Sequence, residues 1–251
     1  MIRRNAVFIV AIAIVVGMVV VGIVAPAGLD SLTGVVHSYI IDHFGWGYLL
    51  AAFFFLAFSL YLAFSRYGRI KLGADEEKPQ YSYFGWFSML FAAGMGIGLI
   101  FWGVAEPMSH YLHPPPYLTG ESGEAAKFAM RFAFFHWGFQ PWAIYIIMSL
   151  SIAYFSFRRG MPPLISSCFY PLLGERINGA TGLFIDTLAV FATVFGIVTS
   201  LGLGAIQINA GLGSVFLFST GFGTTLAIVA VVTVLFMISS MTGLDKGIQI
   251  L

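Results

Sequence analysis

Residues 134–145 read FFHWGFQPWAIY, and they place Trp137, Trp142 and Tyr145 close together inside an apolar run. An aromatic face attracts cations, and several such faces suit a quaternary ammonium group, which cannot donate a hydrogen bond. At ~100° per residue on a helix, Trp142 and Tyr145 lie about 60° apart, and the three rings cover about 140° of one side. Pro141 has no N–H, which leaves the carbonyl of Trp137 without its helical partner, and Gly138 adds further freedom. The same trio also reads as packing, because tryptophans gather at membrane interfaces. Its position well inside the run speaks for the cage. The neighbouring His136 reads as a packed, hydrogen-bonded histidine rather than a proton carrier.

A second stretch, residues 91–107, reads FAAGMGIGLIFWGVAEP. Gly94, Gly96 and Gly98 alternate there, although glycine is about 1 kcal/mol worse than alanine inside a helix. Positions two apart point about 200° away from each other. A close helix crossing needs small residues on one face, whereas glycines on both faces permit the helix to unwind. Unwound backbone at membrane depth is tolerated where it lines a cavity or is buried in protein. Half-helix ends in such a break can hold an anionic group or a cation. A close crossing stays open as the other reading.

The third stretch, residues 185–211, carries Thr187, Thr193, Thr199, Ser200, Gln207 and Asn209 in an apolar setting. Hydroxyls can bond the carbonyls of their own helix. They can also join carbonyl oxygens around a hard cation such as Na+. Both readings apply to Thr193. Asp186 stands near the beginning of the same run. Intramembrane acids are costly and often functional, but an acid near a helix start is also favoured by the helix dipole.

Elements that could hold these residues are visible in the composition. The chain of 251 residues is 59% hydrophobic and only 9% charged, against about 25% charged in soluble domains. That leaves too little polar surface for a water-soluble body and implies an all-α integral membrane protein in a lipid bilayer. A net charge of +1 argues against nucleic acid as a partner. Apolar runs fall at about 6–25, 47–66, 84–104, 125–157, 178–212 and 222–242, each meeting the ~20 residues a bilayer requires. The first run is longer than the apolar core of a signal peptide, so it is expected to be a retained helix.

Placing the N-terminus in the cytoplasm puts Arg3, Arg4, Arg66, Arg69, Lys71, Lys78, Arg158, Arg159, Arg176 and Lys246 inside. Those are ten of the twelve Lys and Arg residues, leaving Lys127 and Arg131 outside. The positive-inside rule selects that orientation, in a cell membrane crossed several times. Residues 30–43, without Lys or Arg, are expected to be an outer loop. His110 and His113 in the next outer loop are a weak metal pair without a third ligand. The stretch 161–177 is too short to span and is expected to be interfacial or re-entrant. The single cysteine, Cys168, excludes an intrachain disulfide and reads as a packed small residue. The final TGLDKGIQIL reads as the beginning of something further, so a fragment is expected.

FAAGMGIGLIFWGVAEP, HWGFQPWAIY, ATVFGIVTSLGLGAIQINAG and TGLDKGIQIL occur in that order. Together they resemble the betaine/carnitine/choline transporter family. The resemblance implies a LeuT-type inverted-repeat transporter fold, of which about six of about twelve transmembrane helices are present. Residues 1–80 would be two leading helices and a cytoplasmic link, and residues 81–251 the first four helices of a five-helix repeat. It places Trp137, Trp142 and Tyr145 in an aromatic box around a trimethylammonium. Gly94, Met95, Gly96 and Gly98 fall on the unwound substrate helix. Carbonyls of Ala92 and Met95 match one side of a Na+ site, and Thr193 matches a second. Ile197 stands where that second site usually has a hydroxyl, which counts against it.

The resemblance implies Na+ as coupling ion, no cofactor, no catalytic residues, and a homotrimer. Glycine at 98 leaves room for a zwitterion, where proton-driven choline carriers tend to have aspartate. Glycine betaine by Na+ symport is therefore the leading expectation. Choline or carnitine transport by proton coupling or exchange is the alternative. A gated channel is disfavoured by the few hydroxyls in the first, second and sixth runs. An enzyme is disfavoured because His136 and Asp186 lie on different runs.

Overall fold

The structure is a computed structural model that describes residues 2–94, 97–216 and 220–242. Among these residues every regular element is helical and there is no strand. Among the described residues, four helices are long and apolar enough to cross a membrane: Asn5–Val24, Pro26–Phe64, Gly123–Arg158 taken through its bend, and Ala180–Phe216. This is the all-helical membrane class that the composition demands.

Helix α1 (Ile2–Val24) is separated from α2 (Pro26–Phe64) by Ala25 alone. Pro26 begins α2, where its missing N–H falls among donors that a helix start leaves unpaired anyway. At 39 residues, α2 is about 58 Å long, nearly twice the ~30 Å hydrocarbon core of a bilayer. The expected outer loop at 30–43 is therefore wrong in structure: these residues are helical. Some of their polar side chains bond the helix itself. Thr33 Oγ1 donates to the Leu29 carbonyl at 2.8 Å, and His43 Nδ1 lies 2.9 Å from the Tyr39 carbonyl. Polarity there is compatible with helix standing in water, and nothing in the stretch breaks it.

Helix α2 ends at Ser65. Its N–H bonds the Tyr61 carbonyl at 3.0 Å, and its Oγ accepts from the Tyr67 N–H at 3.2 Å. A single 3-10 turn, Arg66–Arg69, follows. Further helices are α3 (Tyr83–Gly94), α4 (Ile97–Leu112), α5 (Gly123–Trp137) and α6 (Phe139–Ala153). The stretch at 161–177 folds into two single-turn helices, α7 (Ile165–Cys168) and α8 (Tyr170–Leu173), and the start of a 3-10 turn, Gly174–Asn178. Helices α9 (Ala180–Phe216) and α10 (Phe222–Thr242) complete the described chain.

Two compact units result, one from residues 1–77 and 134–194, the other from 78–133 and 195–251. In the first unit α6 packs along α2, and α1 also touches α2. The buried apolar residues of the described chain are mostly alanines, Ala11, Ala125, Ala129, Ala143 and Ala205, with Ile177. Large side chains point outward instead, as with Phe54, Phe84 and Leu235. Small residues at helix contacts and large apolar ones outside are the arrangement that lipid favours.

One ion pair ties the first unit together across a long chain separation. Arg158 Nη1 lies 2.7 Å from Asp75 Oδ1 and donates to the Gly73 carbonyl at 2.9 Å. The hydrogen bond and charge of Arg158 hold the Asp75 carboxyl below the usual carboxylate range.

Candidate functional site

The bend in the fourth apolar run is set by Gly138, which separates α5 from α6. A Cβ at this position would meet the Phe134 carbonyl oxygen at 2.5 Å, so only glycine fits without a shift. Because α6 begins at Phe139, Pro141 falls in its first turn. Its absent N–H there belongs to the donors that every helix start leaves unpaired. The bend was expected from Pro141, with Gly138 adding freedom. The glycine makes it, and the proline is suited to the restart that follows.

Beyond that restart, Trp142 and Tyr145 stand on one side of α6, with ring centroids 6.3 Å apart and planes tilted by 53°. They are 38% and 70% exposed, so they do not form the core of their unit. Ala143, 1% exposed, lies at least 100° around the helix from both rings, so α6 is covered on another side. Trp137 is the last residue of α5, across the bend. The 140° arc of an ideal helix therefore does not describe all three rings. The structure brings Trp142 and Tyr145 together and leaves Trp137 on the adjoining helix.

The glycine stretch belongs to the second unit. Gly94 ends α3 and Gly98 lies in the first turn of α4, while Ala92 is within α3. Met95 and Gly96, at the centre of the expected unwinding, lie outside the described residues.

Thr193 donates its hydroxyl to the Ala189 carbonyl of its own helix at 2.8 Å, and Thr199 does the same to Phe195 at 2.8 Å. The back-bonding reading thus describes Thr193 in this structure. The hydroxyl oxygen keeps acceptor capacity in that geometry. Ile197, 44% exposed, supplies no oxygen one turn later.

Asp186 is 4% exposed and closes a contact that the sequence did not reveal. Its Oδ1 accepts from the Ser166 N–H at 2.9 Å and its Oδ2 accepts from Ser166 Oγ at 2.9 Å. The acid of α9 thereby caps the first turn of α7. Charge-assisted bonds of this kind are the stronger class, and they fix the 161–177 stretch to α9. The functional reading of Asp186 thus becomes a positioning role. A serine facing an intramembrane acid across a short loop was the available signal, but nothing in the spacing identified which serine.

His110 pairs with Glu106 one turn earlier at 3.4 Å, and its ring lies against Phe128 and Phe132 at 5.9 and 5.8 Å between centroids. His113 is not among these contacts. In the same unit Asn209 Nδ2 donates to Thr225 Oγ1 at 2.8 Å, joining α9 to α10. Burial pushes the Cys168 thiol up, away from the thiolate that reactive cysteines present.

A family model described as BCCT, betaine/carnitine/choline family transporter, matches residues 6–251. The chain is 49% identical over 247 residues to the glycine betaine transporter OpuD of Bacillus subtilis (strain 168), covering 98% of this chain and 48% of that protein. It is 46% identical over 247 residues to the ectoine/hydroxyectoine transporter of Virgibacillus pantothenticus, covering 98% and 49%. With the high-affinity choline transport protein of Escherichia coli (strain K12) it shares 43% over 214 residues, covering 85% and 32%. The chain spans about half the length of the curated relatives it matches most extensively.

Proposed function

The chain belongs to the betaine/carnitine/choline transporter family, whose members carry solutes and are not enzymes, and from that premise we propose that the intact protein imports glycine betaine by Na+ symport and alternating access. The observation that carries the substrate class is the Trp142–Tyr145 pair, two exposed rings held 6.3 Å apart on a helix restarted at Gly138. Two tilted π faces offer a trimethylammonium what it can use, electrostatic attraction without N–H donors. Trp137 completes the box from the end of α5. The backbone at Gly94, Met95, Gly96 and Gly98 receives the substrate carboxylate through its N–H groups. Carbonyls of Ala92 and Met95 coordinate the co-transported Na+, and Thr193 contributes a hydroxyl oxygen to a second ion.

The N-terminus is cytoplasmic in this proposal. The Asp75–Arg158 pair supports the parity, because it joins two segments that the charge rule assigns to the same side of the membrane. Residues 1–80 act as leading helices and link, and residues 81–251 as the first part of the repeat. The intact protein is a homotrimer that serves osmotic adaptation.

Ectoine is the second reading, supported by the 46% identical relative named for it, and choline the third, from the 43% identical one. Uptake of labelled betaine, ectoine, choline and carnitine by the intact transporter, with and without a Na+ gradient, separates them. Saturable betaine uptake that rises with Na+ is expected. Uptake that ignores Na+ removes symport, and preference for another solute removes betaine.

A further inference from the structure

Two adjoining cavities in the first unit lie apart from the aromatic box, and the larger shares only Thr193 with the proposed ion sites. The larger, about 950 Å3, lies between α1 and α9 above residues 162–165. Val7, Ala11 and Val15 form its α1 wall at helical spacing, and Ala189, Val190 and Val194 form much of its α9 wall. Each helix lines it over a nine-residue stretch, from 7 to 15 and from 186 to 194, a height of about 12 Å. The polar groups in these walls are already engaged: Asp186 by Ser166 and Thr193 by Ala189. Both walls come from the N-terminal halves of membrane-length helices. The slot thus sits at the membrane side where α1 and α9 begin, within a single leaflet.

The smaller cavity, about 400 Å3, shares Pro162 and Leu164 with the first. Across those two side chains the chemistry changes from apolar to polar. Arg159 and Glu175 line the second cavity, in the stretch between the end of α6 and the start of α9, where a lipid headgroup would stand. The Arg159 guanidinium has no partner among the described residues. Glu175 accepts from Tyr170 Oη at 3.2 Å and from Asn178 Nδ2 at 2.7 Å. A carboxylate has about four acceptor positions, so capacity for a cation remains.

An apolar slot opening at leaflet depth takes an acyl chain. A free guanidinium and a carboxylate lining one pocket take a headgroup with both signs of charge and N–H donors. We propose that the two cavities form one binding site for phosphatidylethanolamine, with its phosphate on Arg159, its primary ammonium on Glu175 and an acyl chain between α1 and α9. Phosphatidylglycerol offers no cation to Glu175. Phosphatidylcholine offers a trimethylammonium that cannot donate a hydrogen bond.

The test is photolabelling of the intact transporter, purified in mild detergent, with diazirine-acyl phosphatidylethanolamine, phosphatidylglycerol or phosphatidylcholine, followed by peptide mapping. Adducts of the ethanolamine lipid are expected on residues 7–15 or 186–194. Its labelling should exceed that of the choline lipid about tenfold, the value of one charge-assisted hydrogen bond. Arg159→Gln should lower labelling by all three, and Glu175→Gln should abolish the preference, each variant eluting like the parent on size exclusion. Where Glu175→Gln fails to fold, stepwise N-methylation of the ethanolamine headgroup carries the same test on the unaltered protein, with labelling falling at each methyl. Adducts elsewhere would mean that a protein segment covers the groove, and would overturn the proposal. A flat methylation series, or equal labelling by the glycerol lipid, would overturn it as well.

Discussion

Trp142 contributes to a substrate site only through its face, so its removal has a calculable effect. A desolvated cation–π contact is worth about 2 kcal/mol, or roughly 30-fold in affinity. Trp142→Leu in the intact transporter should raise the apparent KM for betaine toward that factor while leaving membrane insertion intact. An unchanged KM would remove the indole from the site. Gly98 makes a separate prediction. A carboxylate there would pair with the bare positive charge of choline and oppose the carboxylate of a betaine. Gly98→Asp should therefore shift the uptake ratio toward choline. Background choline uptake by a correctly inserted variant would refute the argument from that position. Asp186 belongs with neither: both its oxygens are held by Ser166, and it acts on structure before it acts on transport.

At the scale of elements, the aromatic pair depends on where α6 starts. Gly138 permits that start, because any Cβ would lie 2.5 Å from the Phe134 carbonyl oxygen. Gly138→Ala is expected to force the backbone to shift and to move Trp142 and Tyr145 together, since both ride on α6. Betaine affinity should fall by more than in Trp142→Leu, and tryptophan fluorescence should change with it. Parental values of both would show that α6 is positioned from elsewhere, for example by its packing along α2. The bend was legible in the sequence as a Gly-x-x-Pro pair. Assigning it to one residue needed the backbone, because proline is harmless in a first helical turn and disruptive four residues later.

For the whole molecule, orientation is testable through the single cysteine, Cys168. In a Cys168→Ser background, Lys127→Cys should react with an impermeant maleimide added outside intact cells. Arg69→Cys should react only after permeabilisation. The opposite pattern would invert the topology. The Asp75–Arg158 pair adds a pH dependence. A carboxyl held below its ordinary value stabilises the fold fully above about pH 4, the unperturbed range, and ceases to do so as pH falls through the lowered value. The stability difference between parent and Asp75→Asn should therefore be present at pH 7 and vanish in strong acid. A difference that persists under strong acid would mean that the pair acts by something other than charge. Its size should be small, because exposed pairs are screened by water and salt.

The residue order alone decided the membrane class, the all-helical architecture and the family motifs. Transfer of apolar side chains into lipid adds up residue by residue along a run, so composition and run length carry that information without any partner. The extent of α2 was not legible in that way. Polar residues at 30–43 mark contact with water, but Thr33 and His43 bond their own helix, which runs unbroken through them. Partners remote in the chain were decided only by the tertiary structure. Asp186 meets Ser166 across 20 positions, and Arg158 meets Asp75 across 83. A buried or half-buried charge must find a counterpart, and the sequence shows that need. Which counterpart it finds depends on the packing of α6 on α2 and of the 161–177 stretch on α9, which no local pattern encodes.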